Sequence, residues 1–77
     1  MNIFELMEDI GNNIKYEIDK RGVSQNQLAK EINVNKSTVS KYISGECLPP
    51  VDKLINICCA LGCEIEDLII LDGEEII

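Results

Sequence analysis

The sequence predicts an all-α domain of five helices. Three observations carry that expectation. Apolar residues recur at Ile3, Met7, Ile10, Ile14 and Ile18, in steps of four, three, four and four, the repeat of one helix face. Gly22, Gly45 and Gly62 each follow such a patch and stop it. No stretch alternates apolar and polar residues as a half-buried strand does.

The first helix is expected from Asn2 to Lys20, where Gly22 breaks the pattern. Ser24 then opens a capping box. Its hydroxyl can accept from the amide three residues on, and the Gln27 side chain can reach back. The second helix follows over Gln25–Ile32, with Leu28, Ala29 and Ile32 facing inward. Asn33 tolerates a left-handed backbone better than most residues, so it can turn the chain without glycine. Val34 can fill the angle between helices. Asn35 can cap a third helix, Lys36 to about Ile43, with Val39 and Tyr42 or Ile43 on its core face. Tyr42 is expected to be a core or rim residue and not a stacking one. Ser44-Gly45 ends that helix. After a loop at Glu46–Pro50, a fourth helix is expected at Val51–Leu61, buried through Leu54, Ile57, Cys58 and Leu61. A short fifth helix is expected at Glu64–Ile70, with Glu64, Glu66 and Asp67 at its positive N-terminal end.

All of this is one domain, residues 1–77, with a core at about 8–70 and a tail at 71–77. The tail mixes acids with Leu71, Ile76 and Ile77, and it either frays or docks on a partner. A domain this small buries only roughly 60% of the surface its unfolded chain exposes, so a second subunit would help it. The apolar residues near the end exceed what one short helix can bury. Ile69, Ile70, Ile76 and Ile77 are therefore candidates for a homodimer contact.

Composition excludes several functions. With no histidine there is no ordinary imidazole base and no His-containing metal site. Cysteines at 47, 58, 59 and 63 lack the paired spacing of a four-thiolate site, since Cys47 stands alone. Reduced cysteines filling small core positions are the expectation, and at most one of Cys58 and Cys59 can face squarely inward. The chain is not expected to be an enzyme or to carry a cofactor. The longest charge-free run, Leu54–Cys63, is too short to cross a bilayer, and the acidic N-terminus does not resemble a secretion signal. No membrane partner and a cytoplasmic location are expected.

The net charge of -7 hides an uneven layout. Residues 20–45 hold Lys20, Arg21, Lys30, Lys36 and Lys41 against Glu31 alone, while both flanks are acidic. A basic island over the second and third helices makes an anion-facing surface on a molecule that otherwise repels polyanions. Affinity for DNA irrespective of sequence should then be weak.

Residues 22–45 read G-V-S-Q-N-Q-L-A-K-E-I-N-V-N-K-S-T-V-S-K-Y-I-S-G. This stretch resembles the Cro and phage-repressor type of helix-turn-helix, the XRE family. Ser24-Gln25, Leu28-Ala29, Val34, Thr38-Val39-Ser40 and Gly45 fall at matching positions, and the likeness runs on through Pro49, Leu54, Ile57, Ala60-Leu61-Gly62 and Asp67-Leu68. The resemblance implies a compact five-helix, lambda-repressor-like DNA-binding domain with its helix-turn-helix at the second and third helices. It implies base reading by Lys36, Ser37 and Lys41, with Ser40 beside them. It implies phosphate contact by Gln25 and Asn35, and by Ser44 and Gly45 in the loop after the third helix. Ile18 and Ile43 stand where some members place an arginine and a glutamate, which suggests that the two isoleucines touch. Asn33 replaces the usual turn glycine, Pro50 loses a capping hydroxyl, and Glu46 adds an acid to a loop that is often basic or neutral.

The function these features imply is sequence-specific double-stranded DNA binding by a transcriptional regulator. Its most direct mechanism is repression by occupying a near-palindromic operator as a dimer. The alternative is a protein-interaction module, antirepressor or antitoxin-like, that keeps the fold and uses its acidic surface.

Overall fold

In the computed structural model, which describes residues 2–69, Asn2 starts the first helix by accepting the Glu5 N–H on its side-chain oxygen at 2.9 Å. That helix, α1, runs Ile3–Arg21. It is followed by α2 (Gln25–Ile32), α3 (Lys36–Ser44), α4 (Val51–Leu61) and α5 (Ile65–Leu68). Among the described residues the protein is thus all-α, with five helices and its helix-turn-helix at α2 and α3.

Four helices stop on the same device. Gly22, Asn33, Gly45 and Gly62 each adopt the left-handed backbone after α1, α2, α3 and α4. The next residue's N–H then reaches back five positions: Val23 to Ile18, Val34 to Ala29, Glu46 to Lys41 and Cys63 to Cys58, at 2.9–3.0 Å. This closure satisfies carbonyls that the helix end would otherwise orphan. Asn33, at φ 61°, is the one non-glycine among them. The expected capping box at Ser24 and Gln27 is present in both directions, at 3.1 and 2.9 Å. Pro50 precedes α4 and provides no side-chain cap.

Ile10, Ile14 and Ile18 of α1 form the spine of the core. Around them pack Leu28, Ala29 and Ile32 of α2, Val39 and Tyr42 of α3, Leu54, Ile57, Cys58 and Leu61 of α4, and Leu68 of α5. Val23, Val34 and Ile43 pack half-buried against this cluster, so Ile18 and Ile43 share one apolar body. Tyr42, not Ile43, takes the fully inward position. The first turn of α1 departs from the expected face, because Ile3 is 50% exposed; Phe4, off that face, is 73% exposed. That turn overhangs the core, and the inward residue nearest it is Leu6.

One glycine acts inside a helix. A side-chain carbon on Gly11 would meet the Tyr42 carbonyl oxygen at 2.6 Å and come closer still to that of Ile43. Here α1 lies directly on the C-terminal backbone of α3, and only a residue without Cβ fits.

The fifth helix is shorter than expected. Ile69 adopts extended backbone, φ -118° and ψ 104°, so α5 ends at Leu68. Two things hold so short a helix. Leu68 is fully buried, and Asn13 of α1 donates its amide to the Leu68 carbonyl at 2.8 Å. Ile69, expected at a partner surface, is instead half-buried against the chain's own core. The tail, and with it Ile70, Ile76 and Ile77 as dimer-contacting residues, lies outside the described residues.

Of the cysteines, only Cys58 is core and Cys63 half-buried, while Cys47 and Cys59 are exposed. The expectation of reduced cysteines in small core positions therefore holds for Cys58 and in part for Cys63, but not for Cys47. For the adjacent pair, one faces in and one out.

Candidate nucleic-acid interface

Two short helices and a rigid turn position the candidate residues. Leu28, Ala29 and Ile32 fix α2 from below and Val39 and Tyr42 fix α3, which leaves Lys36, Ser37, Ser40 and Lys41 exposed. A further strut comes from α4, whose Lys53 ammonium donates to the Ile32 carbonyl at the end of α2 at 3.0 Å.

Sequence-distant candidates meet at Gln25 and Ser40. The Ser40 hydroxyl donates to Gln25 Oε1 at 2.9 Å, bridging the first residue of α2 and the middle of α3. Gln25 is thereby held through its oxygen, and its NH2 group has no acceptor among the described residues.

Asn35 is held in the same sense. Its Oδ1 accepts from the Thr38 N–H at 3.0 Å, which caps α3, and also from the hydroxyls of Ser37 at 2.7 Å and Thr38 at 2.9 Å. Its NH2 is likewise unclaimed among the described residues. Both carboxamides thus turn their acceptors into the protein and keep their donors. They sit at the N-termini of α2 and α3, where unpaired backbone N–H groups and the helix dipole favour an anion.

Lys36 and Lys41 stand roughly 140° apart around α3, given about 100° per residue. Among the described residues neither has an acidic partner. The described ion pairs lie instead on α1, where Glu17 binds Arg21 at 3.1 Å and approaches Lys20 at 3.9 Å, and Lys15 binds Asp19 at 2.6 Å. The acids therefore neutralise the basic island at its α1 edge and leave its α3 side uncompensated.

Ser44 and Gly45 are differently placed. The Ser44 hydroxyl donates back to the Lys41 carbonyl at 3.2 Å. The N–H groups of Gly45, Glu46 and Cys47 are all spent on the α3 terminus, on the carbonyls of Tyr42 and Lys41. A side chain at Gly45 would touch Glu8 of α1 at 3.4 Å, so this turn is pressed on α1. Its donors are not free in the way those of Gln25 and Asn35 are.

Sequence reasoning gave Thr38 a matching position but no contact, and passed over Lys53 and Gly11. Gly11 left a signal, since a glycine inside a helical repeat costs about 1 kcal/mol against alanine and needs a packing reason. Thr38 left one in the Asn35 cap three residues before it, whereas Lys53 left none, because its partner, the Ile32 carbonyl, comes near only when α4 packs on α2. Among the described residues, no group of three or more His, Cys, Asp or Glu is placed to hold a metal, and no helix is long and apolar enough to cross a membrane.

A family model described as helix-turn-helix, HTH_3, matches residues 14–68. No curated protein matches the chain. Among solved structures, the clp gene regulator ClgR from Corynebacterium glutamicum is 25% identical, with a TM-score of 0.78 and 82% of each chain covered. The P22 c2 repressor, solved with a synthetic operator, is 25% identical over 82% of this chain and 96% of its own, with a TM-score of 0.75. PlcR from Bacillus thuringiensis, solved with the peptide PapR7 and DNA, is 32% identical over 88% of this chain, with a TM-score of 0.74. This chain spans 25% of PlcR.

Proposed function

The chain belongs to the HTH_3 helix-turn-helix family, whose model covers residues 14–68, and from that premise we propose that it is a sequence-specific DNA-binding transcriptional regulator. The observation that carries this reading is the set of unclaimed donors on α2 and α3. Lys36 and Lys41 have no acidic partner among the described residues, and the Gln25 and Asn35 amides are anchored through their oxygens. In this reading α3 lies in the major groove, a channel about 12 Å wide that admits a helix. Lys36, Ser37, Ser40 and Lys41 face base edges. Gln25 and Asn35 donate to phosphates at either helix start, and Ser44 with Gly45 approaches the backbone at the far end. The similarity to two proteins solved with an operator or with DNA supports duplex DNA as the ligand.

Regulation would be by occupancy, with repression where the site overlaps a promoter. Two copies would set their α3 helices in successive major grooves, about 34 Å apart, on a near-palindromic site. The exposure of Val51, Ile55 and Ile65 on α4 and α5 supports a second copy on that side. A second reading, a protein-interaction module, is favoured by the acid-rich exterior and by exposed Glu46 directly after α3.

Selection of bound fragments from random duplex DNA tests the two. A two-fold symmetric sequence is the expected outcome. No enrichment above that given by a Lys36→Ala, Lys41→Ala control leaves the interaction module.

A further inference from the structure

Hydroxyl groups are ambiguous readers of DNA, because each can donate or accept. At Ser37 the structure removes that ambiguity, and Asn35 is what removes it. The Asn35 side-chain atom that receives the Thr38 backbone N–H at 3.0 Å must be the carbonyl oxygen, since an NH2 group cannot accept there. That same oxygen lies 2.7 Å from Ser37 Oγ and 2.9 Å from Thr38 Oγ1. A carbonyl oxygen has no proton to give, so both hydroxyls must supply theirs. Ser37 is exposed in the first turn of α3. With its one proton spent inward, it presents only lone pairs outward. Lys36 beside it presents only N–H donors.

We infer that Asn35 is a positioning residue that makes Ser37 an acceptor-only reader, one that selects a base carrying an exocyclic amino group in the major groove. The inference rests on the DNA-binding reading of the same helix. Adenine offers N6–H and cytosine offers N4–H on that edge, whereas guanine and thymine offer acceptors alone. Every base pair holds one amino base and one keto base. Ser37 therefore decides which strand carries which, and a keto base would set lone pairs against lone pairs. The adjacent lysine has the opposite preference, for guanine O6 or N7.

The experiment starts from the duplex enriched by selection. Each adenine in turn is replaced by 2-aminopurine and each cytosine by 2-pyrimidinone, which lack the major-groove amino group. Affinities are measured for the wild type and for Ser37→Ala, Asn35→Asp and Asn35→Gly. One replacement per half-site should weaken the wild type about fivefold, the value of one neutral hydrogen bond, and leave Ser37→Ala unmoved. Asn35→Asp keeps the oxygen that Ser37 and Thr38 need but loses the NH2 donors. It should bind every duplex more weakly and stay sensitive to that replacement. Asn35→Gly is tolerated at a helix cap but frees the Ser37 hydroxyl, so its sensitivity should fall. A wild type indifferent at every position, or a Ser37→Ala protein equally sensitive, overturns the inference alone. Full sensitivity in Asn35→Gly overturns the positioning role. If no duplex is enriched at all, the DNA-binding reading fails and takes the inference with it.

Discussion

Gly11 shows how much one missing carbon can matter. Alanine is the better helix former by about 1 kcal/mol, yet its methyl group would collide with the backbone carbonyls of Tyr42 and Ile43. Backbone atoms cannot swing aside as a side chain can. Gly11→Ala is therefore expected to lower stability by about 1–3 kcal/mol net, the usual scale of overpacking. Urea unfolding checks it, and a variant as stable as the parent would mean that α1 and α3 are not so close. Cys58 offers a second test. Burial, and next to it the neighbouring Cys63, push its thiol from 9.0 up to about 11. The folded chain then keeps a proton that the unfolded chain releases. Its contribution to stability is complete below about pH 9 and is lost as pH rises through about 11. Burial raises the Tyr42 phenol too, and with the same sign. Cys58→Ala should start less stable, because it empties core volume, but should lose less on going from neutral to alkaline pH. Thermal melts across that range measure the difference. At this scale the sequence was legible for caps, since Ser24, Asn33 and Asn35 behave as their chemistry dictates. It was not legible for close contacts. Nothing local to Gly11 says which backbone it meets.

Helices and turns were legible nearly throughout, because most starts and stops here have a local chemical cause. The α5 boundary was not, since its end depends on the extended backbone at Ile69 and on Asn13 from the far end of the chain. The candidate site divides in the same way. Exposure of Lys36, Ser37, Ser40 and Lys41 follows from helical periodicity, while the Ser40–Gln25 bond needs the turn to be in place. The turn itself can be tested at Asn33. Asn33→Gly should leave stability nearly unchanged, and Asn33→Ala should cost about 1–2 kcal/mol, the penalty of a left-handed residue with an ordinary side chain. Equal stability of the two variants would contradict the strain argument. The third helix has its own prediction. Lys36→Ala with Lys41→Ala should weaken binding to the enriched duplex by at least about 1–3 kcal/mol if either lysine reads a base. The melting temperature should move little, because neither side chain is buried. Unchanged affinity would remove both lysines from the interface.

For the whole molecule, charge and apolar surface are segregated. The basic island occupies α2, α3 and the end of α1, and the remaining surface is acidic. Val51, Ile55 and Ile65 stay exposed on α4 and α5. A dimer formed through that side would carry its acids close together, so it should tighten with added salt up to the point where the charges are screened. Ile55→Glu should shift sedimentation equilibrium toward the mass of one chain and leave the helical content intact, since Ile55 is 52% exposed. A chain ending at Leu68 separates this surface from the tail. If it dimerises as well as the full chain, the tail is not the contact, and if the full chain stays at the mass of one subunit, there is no dimer in free solution. The Asn13–Leu68 bond has a further consequence, during synthesis. It joins positions 55 residues apart, and Leu68 is among the most deeply buried side chains. A ribosome releases α2 and α3 well before α5, so the growing chain exposes its two-helix corner with the core still open. Closure waits for the last helix to emerge, and a polypeptide interrupted before Leu68 should be left to proteases as an unfinished globule.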